Sequence, residues 1–378
     1  MNPANTSSAV PEYLSPLRET LLIQCHPSQT LRAAALADRD NAGLVITPKL
    51  GLGKPEAARA QAYGAALHLR QKGQFGRPIL LDASRYTGKN RVPASEDFDT
   101  KWIERQRDLN LTILTDSGYV AEGDAAGVES ILQRTAGLGN AIALLPLHNS
   151  WLRDRRAVDT LISAIARANV PVALILEHSD DPFELVGVAT AFLQVVSAGP
   201  PVLLLRCDIS ALGALSVGAL AAAVGTGTSL RHLYPQKNRG GGGGRKPMIA
   251  AVIQECMSYL SLDKITLASQ ADPDDSLWNC DCDACHRVSI RELSIQPFER
   301  KEELAFVHSI EALMTLRDRL LKPGSTRAQR AVSWRVSCQN AQFRHMEVES
   351  VTDKFPPPAF LRRWQEALAG VPLQERVR

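Results

Sequence analysis

Short apolar runs recur along this chain, each followed by a turn and an amphipathic stretch, and that alternation restricts the fold more than any other feature. The runs lie at 44–47, 78–82, 111–116, 141–147, 170–176, 202–205, 221–224 and 264–268. Runs this continuous read as strands buried on both faces, which implies a parallel sheet covered by helices. Eight strands close an α/β fold of the TIM (β/α)8 barrel type, and a doubly wound open sheet is the alternative with the same alternation. The barrel is expected over 41–275, after an irregular segment at 1–40 in which 31–37 is helical. The polar stretch 85–107 reads as an insertion over the barrel mouth. Residues 323–378 read as a tail in which Phe355-Pro356-Pro357-Pro358 stops one element and Leu361, Trp364 and Leu368 mark a final helix.

With 378 residues, 45% of them hydrophobic, the chain can bury a large core. A net charge of +3 is too small to argue for a polyanionic partner, so any basic surface must be local. The stretch 209–230 carries no charge and has the length of a membrane span, but it is rich in small residues and breaks at Gly225-Thr226-Gly227. It reads as a buried helix followed by a buried strand. Met1 to Pro11 lacks a basic region followed by an apolar one, so no leader is expected and a cytoplasmic location is. Of seven cysteines, Cys25, Cys207, Cys256 and Cys338 read as buried thiols.

The other three form Cys280-Asp281-Cys282-Asp283-Ala284-Cys285. Thiolates at this spacing suit a tetrahedral zinc ion, and short cysteine clusters in reducing compartments lean toward metal. His308 is the expected fourth ligand. It lies beside a helical stripe of Phe306, Ile310, Leu313, Leu316 and Leu320. His286 competes for that place, but it adjoins Cys285, and both side chains would struggle to turn onto one ion. Four protein ligands leave no position for water, so the ion is read as structural, within an extension at 276–322 that it staples to the barrel.

On a barrel reading the C-terminal ends of the strands bring polar residues to one mouth. Asp116 ends the third run, as a base, a nucleophile or an Asx-turn cap. His148 and Asn149 close the fourth, Glu177 and His178 the fifth, Arg206 and Asp208 the sixth. Gly225 and Gly227, followed by Arg231, could expose backbone amides to a phosphate or to the face of a base. Beyond them, five glycines are flanked by Lys237, Arg239, Arg245 and Lys246. They form either a flexible linker or a clamp on nucleic-acid phosphates.

These residues resemble the tRNA-guanine transglycosylases, the queuine and archaeosine tRNA-ribosyltransferases, and their DNA-modifying relatives, which exchange a guanine for a 7-deazaguanine. Cys280, Cys282, Cys285 and His308 match the family's zinc motif in type and order. Leu114-Thr115-Asp116-Ser117-Gly118 resembles its L-x-D-S-G-G, with Tyr119 where the second glycine would stand. Gly213-Ala214-Leu215-Ser216-Val217-Gly218 is loosely similar to G-G-L-A-V-G, and Ala223-Val224-Gly225 to M-G-V-G. The resemblance covers about 40–322. It implies a barrel with structural zinc and base exchange on tRNA or DNA, with Asp116 catalytic; the partner carboxylate is Asp208 or Asp272, of which Asp208 ends a strand and faces the mouth. Ser117, Gly118, His148, Asn149, Glu177, Gly225, Gly227 and Arg231 would then bind the purine-like base. It also implies pairing, as a homodimer or with a catalytic subunit. The family's nucleophilic aspartate on the eighth strand has no counterpart in 264–268, where the next carboxylate is Asp272. Its base-reading aspartate is replaced by His148 or Asn149, and the glutamine of V-Q-G by Glu177. A site rebuilt around Asp116, or a barrel that binds nucleic acid without catalysis, are the two outcomes these departures allow.

Overall fold

The computed structural model describes residues 10–50, 54–89, 91–236, 248–352 and 355–370. The chain divides into two compact units, Met1–Gln236 and Lys237–Arg378. In the first, strands and helices alternate as β1 Thr20–Cys25, α1 Thr30–Arg39, β2 Gly43–Ile46, α2 Pro55–Gln71, β3 Ile79–Leu81, α3 Thr100–Asp108, β4 Ile113–Leu114, α4 Ala125–Ala136, β5 Ala141–Leu147, α5 Arg155–Ala168, β6 Val172–Leu176, α6 Val188–Val196, β7 Val202–Cys207, α7 Ser210–Ser216, β8 Ala221–Gly225 and the single turn α8 Thr228–Arg231. All eight strands are parallel, in the order β3-β2-β1-β8-β7-β6-β5-β4. The first and last strands pair directly, with Leu22 opposite Ala223, so the sheet curls into a barrel that is unpaired only between β3 and β4. The expected TIM-type barrel is present.

Its strands differ from the expected set at both ends. β1 lies inside the segment read as irregular. Only Leu21-Leu22-Ile23 is apolar there, and the buried Gln24 disguises the run as a loop. The expected eighth strand, 264–268, is instead part of the helix α9 Leu262–Ala271 in the second unit. Ser261 caps it by accepting from the Lys264 N–H, and Leu262, Ile265, Ala268 and Ser269 are buried at helical spacing while Leu267 is exposed. The barrel is therefore complete before residue 237, short of the expected limit of 275.

Period-two alternation sets what fills the barrel. Leu22, Val45, Leu80, Leu114, Ile175 and Ala223 belong to one buried cluster with the neighbouring Leu144, Ala173, Leu203 and Leu205. Leu14 and Leu17, from the turn Glu12–Leu17, join it at the N-terminal end. Two residues further along each strand stand Gln24, Thr47, Asp82, Asp116, Glu177 and Gly225, so the same alternation turns a polar layer inward at the mouth. The uncharged 209–230 stretch becomes α7, β8 and α8 as expected. Among the described residues no helix is long and apolar enough to cross a membrane.

The second unit contains the hairpin β9 Ala250–Ile253 and β10 Ser258–Ser261, then α9, α10 Phe298–Leu320, α11 Arg327–Thr352 and α12 Ala359–Ala367. The stripe Phe306, Ile310, Leu313, Leu316 and Leu320 is buried, as its spacing predicts. His345 on α11 is buried between the Cys256 carbonyl at 3.0 Å and the Phe355 carbonyl at 3.2 Å. Leu361, Trp364 and Leu368 are buried on and just after the final helix, and the Trp364 ring meets Trp334 edge-on.

Candidate metal centre and barrel mouth

Cys280, Cys282 and Cys285 come from one tight loop, and His308 from the middle of α10. Their ligand atoms lie within 4.8 Å of one another, a group that can hold a metal ion. The His308 Nδ1 is 3.4, 3.3 and 3.3 Å from the three sulfurs in turn. Its Nε2–H donates to the Val252 carbonyl of β9 at 2.8 Å, which fixes the tautomer that leaves Nδ1 bare toward the sulfurs. Hydrogen bonding from Cys282 and Cys285 lowers the pKa of the Cys280 thiol, and the same network raises that of Cys285. His286 adopts a left-handed backbone at φ 54° and points to solvent, outside the cluster. The cysteine loop, α10 and β9 all belong to the second unit, so the cluster closes that unit on itself.

At the mouth, the Asp116 side chain is fully buried, with 0% exposure. The Asp99 N–H donates to both its oxygens at 3.2 and 3.0 Å, and Arg85 pairs with it at 2.5 Å. Burial raises its pKa, against the pull of Asp99 and Arg85. Glu177 is similarly engaged: Arg91 reaches Oε1 at 2.6 Å, the Tyr119 hydroxyl donates to Oε2 at 2.6 Å, and the Arg91 guanidinium lies 3.6 Å above the Tyr119 ring. Arg85, Arg91 and Asp99 all come from the segment between β3 and α3, which binds two of the mouth's carboxylates; the rest of the expected insertion, 100–107, is the helix α3. Gly118 serves the same packing, because a Cβ there would stand 2.0 Å from the Pro93 carbonyl oxygen.

The other expected site residues are scattered around the rim. Ser117 shares a hydrogen bond with Thr115 at 2.9 Å. His148 accepts from the Ser150 N–H and begins the turn Asn149–Leu152. The His178 ring accepts from the Asp180 N–H. Gly225 has no room for a side chain, since a Cβ would meet the Leu230 carbonyl carbon at 2.3 Å, and Arg231 Nε donates to its carbonyl. Of the expected site glycines Gly118, Gly225 and Gly227, Gly227 alone has open space where a Cβ would stand. Asp272 follows α9 in the second unit. Lys237, Arg239, Arg245 and Lys246 lie outside the described residues.

Sequence reasoning passed over two groups. Asp181, after β6, is buried; it takes Ser210 Oγ at 2.7 Å and the Phe183 N–H at 2.9 Å. Burial first, then the nearby charge of Asp208, pushes its pKa up to about 7. Asp208 is half-buried beside it, and the buried His232 feels the same carboxylate. The second group surrounds Asp82, whose carboxylate receives the Tyr86 hydroxyl at 2.7 Å, Thr47 at 3.1 Å and the Ser84 N–H at 2.8 Å. Period-two placement above Leu80 was the signal that could have found it.

An eight-stranded parallel barrel followed by a helical unit with a Cys3His group that could hold a metal ion is the class of protein these features define. No protein-family model matches the chain, and no curated protein matches it in sequence.

Proposed function

We propose that this protein is a zinc-bearing barrel of the guanine-transglycosylase type that acts on tRNA or DNA by base exchange. The observation that supports the reading best is the Cys3His cluster, which follows a complete parallel barrel in the ligand order of that family. Zinc held at about 2.3 Å from sulfur and about 2.0–2.1 Å from nitrogen gives tetrahedral S···N edges of about 3.5 Å, close to the separations here. The donor set is soft and closed, and the imidazole is oriented from behind, so zinc is assigned a structural part with no share in the chemistry.

Base exchange needs two carboxylates in different protonation states: one attacks C1′ of the nucleotide, and the other assists the departing purine. Asp116 is a poor nucleophile in this fold, because its oxygens are spent on Arg85 and Asp99. Asp208 and Asp181 fit the pair better. Asp208 is accessible, and Asp181 holds its proton to near neutrality. The incoming base then displaces the enzyme carboxylate from C1′.

The engagement of both Asp116 and Glu177 by arginines favours a second reading, a barrel that binds nucleic acid or partners a catalytic subunit without exchanging bases. Labelled guanine incorporation into tRNA, single-stranded DNA and duplex DNA separates the two. Incorporation that is lost in Asp208→Asn supports base exchange. Binding of these polymers with no incorporation into any of them supports the second reading.

A further inference from the structure

Arg206 is the most elaborately held side chain of the barrel. The β7–β8 register shifts between Leu204 and Cys207, and at this irregularity Arg206 takes a left-handed backbone, φ 47°. Bulges of this kind re-aim a side chain, and non-glycine residues in that region persist only where the surroundings fix them. Here the Arg206 N–H is received by Gln24 Oε1 at 2.7 Å, and the Gln24 amide in turn donates to Thr47 at 2.9 Å. The guanidinium is 6% exposed and donates to Ser84 Oγ at 2.7 Å. Ser84 is itself left-handed, φ 55°. The same guanidinium reaches the Ser229 carbonyl at 3.3 Å and lies 5.0 Å from the centre of the Tyr86 ring.

Two features remain unexplained by packing. The Arg206 Nε–H is buried and has no hydrogen-bond partner among the described residues. Asp82, 3.7 Å from the guanidinium, is already committed to Tyr86, Thr47 and Ser84, so it answers the arginine incompletely. Beside Arg206, His26 turns Nδ1 to the Thr47 carbonyl at 2.9 Å and leaves Nε2 facing Ser229 Oγ at 3.5 Å, beyond a good hydrogen bond. Lys49 lies close enough for its charge to bear on the same ring.

We propose that Arg206, His26, Lys49 and Ser229 form a phosphate-binding site at the ends of β1, β2, β7 and β8. A phosphate oxygen would take the free Nε–H, with the Ser229 hydroxyl as a further donor, the His26 Nε2–H as another once the anion has drawn a second proton onto that ring, and Lys49 as a balancing charge. The Ser84 and Gln24 contacts are the scaffold that keeps the arginine aimed. Burial first, then Arg206 and Lys49, depress the His26 pKa, and the hydrogen bond to the Thr47 carbonyl and Asp82 oppose them; a bound dianion would raise it. The site uses neither Asp181 nor Asp208 and does not depend on base exchange.

The test is titration of the full chain with inorganic phosphate, ribose 5-phosphate and a short oligothymidylate, read by calorimetry and by the His26 ring proton in NMR. Saturable phosphate binding with a rise in the His26 pKa is expected, with a loss of about tenfold or more in Arg206→Gln. Arg206→Gln disturbs a buried network, so Lys49→Gln is the second variant. It is exposed, should leave the melting temperature unchanged and should still weaken binding severalfold. Preference for ribose 5-phosphate assigns the site to a phosphomonoester, and competition by the oligonucleotide assigns it to a nucleic-acid backbone. Absence of phosphate binding, or binding that neither moves His26 nor responds to Lys49→Gln, overturns the proposal.

Discussion

Asp181 shows how one buried residue can carry a pH signature for the whole fold. Its folded pKa stands near 7, well above the ordinary carboxylate value, so between about pH 4 and 7 the folded protein holds a proton that the unfolded chain has released. Stability contributed by the protonated form is therefore complete at the acid end and is lost as pH rises through 7. Asp181→Asn keeps an acceptor for Ser210 and removes the titration. We expect its stability to fall less over that window than the native protein's, by an amount on the order of a few kcal/mol, read from urea denaturation at successive pH values. An unchanged slope would show that Asp181 ionises normally. At this scale the sequence supplied names without environments. Asp116 and Asp208 both stood out as strand-end carboxylates. Nothing local said that Arg85, 31 residues away from Asp116, would neutralise one and leave the other accessible.

Among the elements, the segment between β3 and α3 does the most to define the mouth. Its backbone runs beside Tyr119, with the Tyr119 N–H donating to the Val92 carbonyl at 2.7 Å and the Ala94 N–H to the Tyr119 carbonyl at 3.0 Å. Gly118 permits that approach. Gly118→Ala must displace the Val92–Pro93 backbone, and overpacking of this kind costs about 1–3 kcal/mol or more. We expect a lowered melting temperature together with faster proteolysis within 85–99. A variant as resistant as the native protein would show that the segment is not held there. The Asp-Ser-Gly motif was legible as a motif, but its glycine answers to packing. The two misread elements have simple causes. β1 carries a buried glutamine where a strand normally carries an apolar residue, because Gln24 receives the N–H of Arg206. α9 presents Ile265 and Leu267 as if alternating, and only its capping serine and its i, i+3 burial reveal a helix.

At the scale of the molecule, each unit buries its own apolar core. The barrel closes by β1–β8 pairing, and the second unit adds a Cys3His group, from its cysteine loop and α10, that could hold a metal ion. Structural metal binding is folding free energy, often on the order of 10 kcal/mol for small sites. Chelation, or Cys282→Ser, should therefore remove one equivalent of zinc and lower the transition of the second unit, with that of the barrel retained. Calorimetry alongside metal analysis checks this, and a metal-free protein with both transitions unchanged would contradict the structural assignment.

The sequence by itself determined the barrel class, seven of its eight strands and the four residues whose cluster could hold a metal ion. Each of these is written locally, as a period of burial or a spacing of donors along one loop and one helix. Tertiary structure decided which carboxylates are free, why Gly118 and Gly225 are glycines, and where Arg206 points. Those properties arise from groups that meet only when distant strands close into a ring. A hydrogen bond spanning 182 residues, such as that from the Arg206 N–H to Gln24, leaves no local pattern to read.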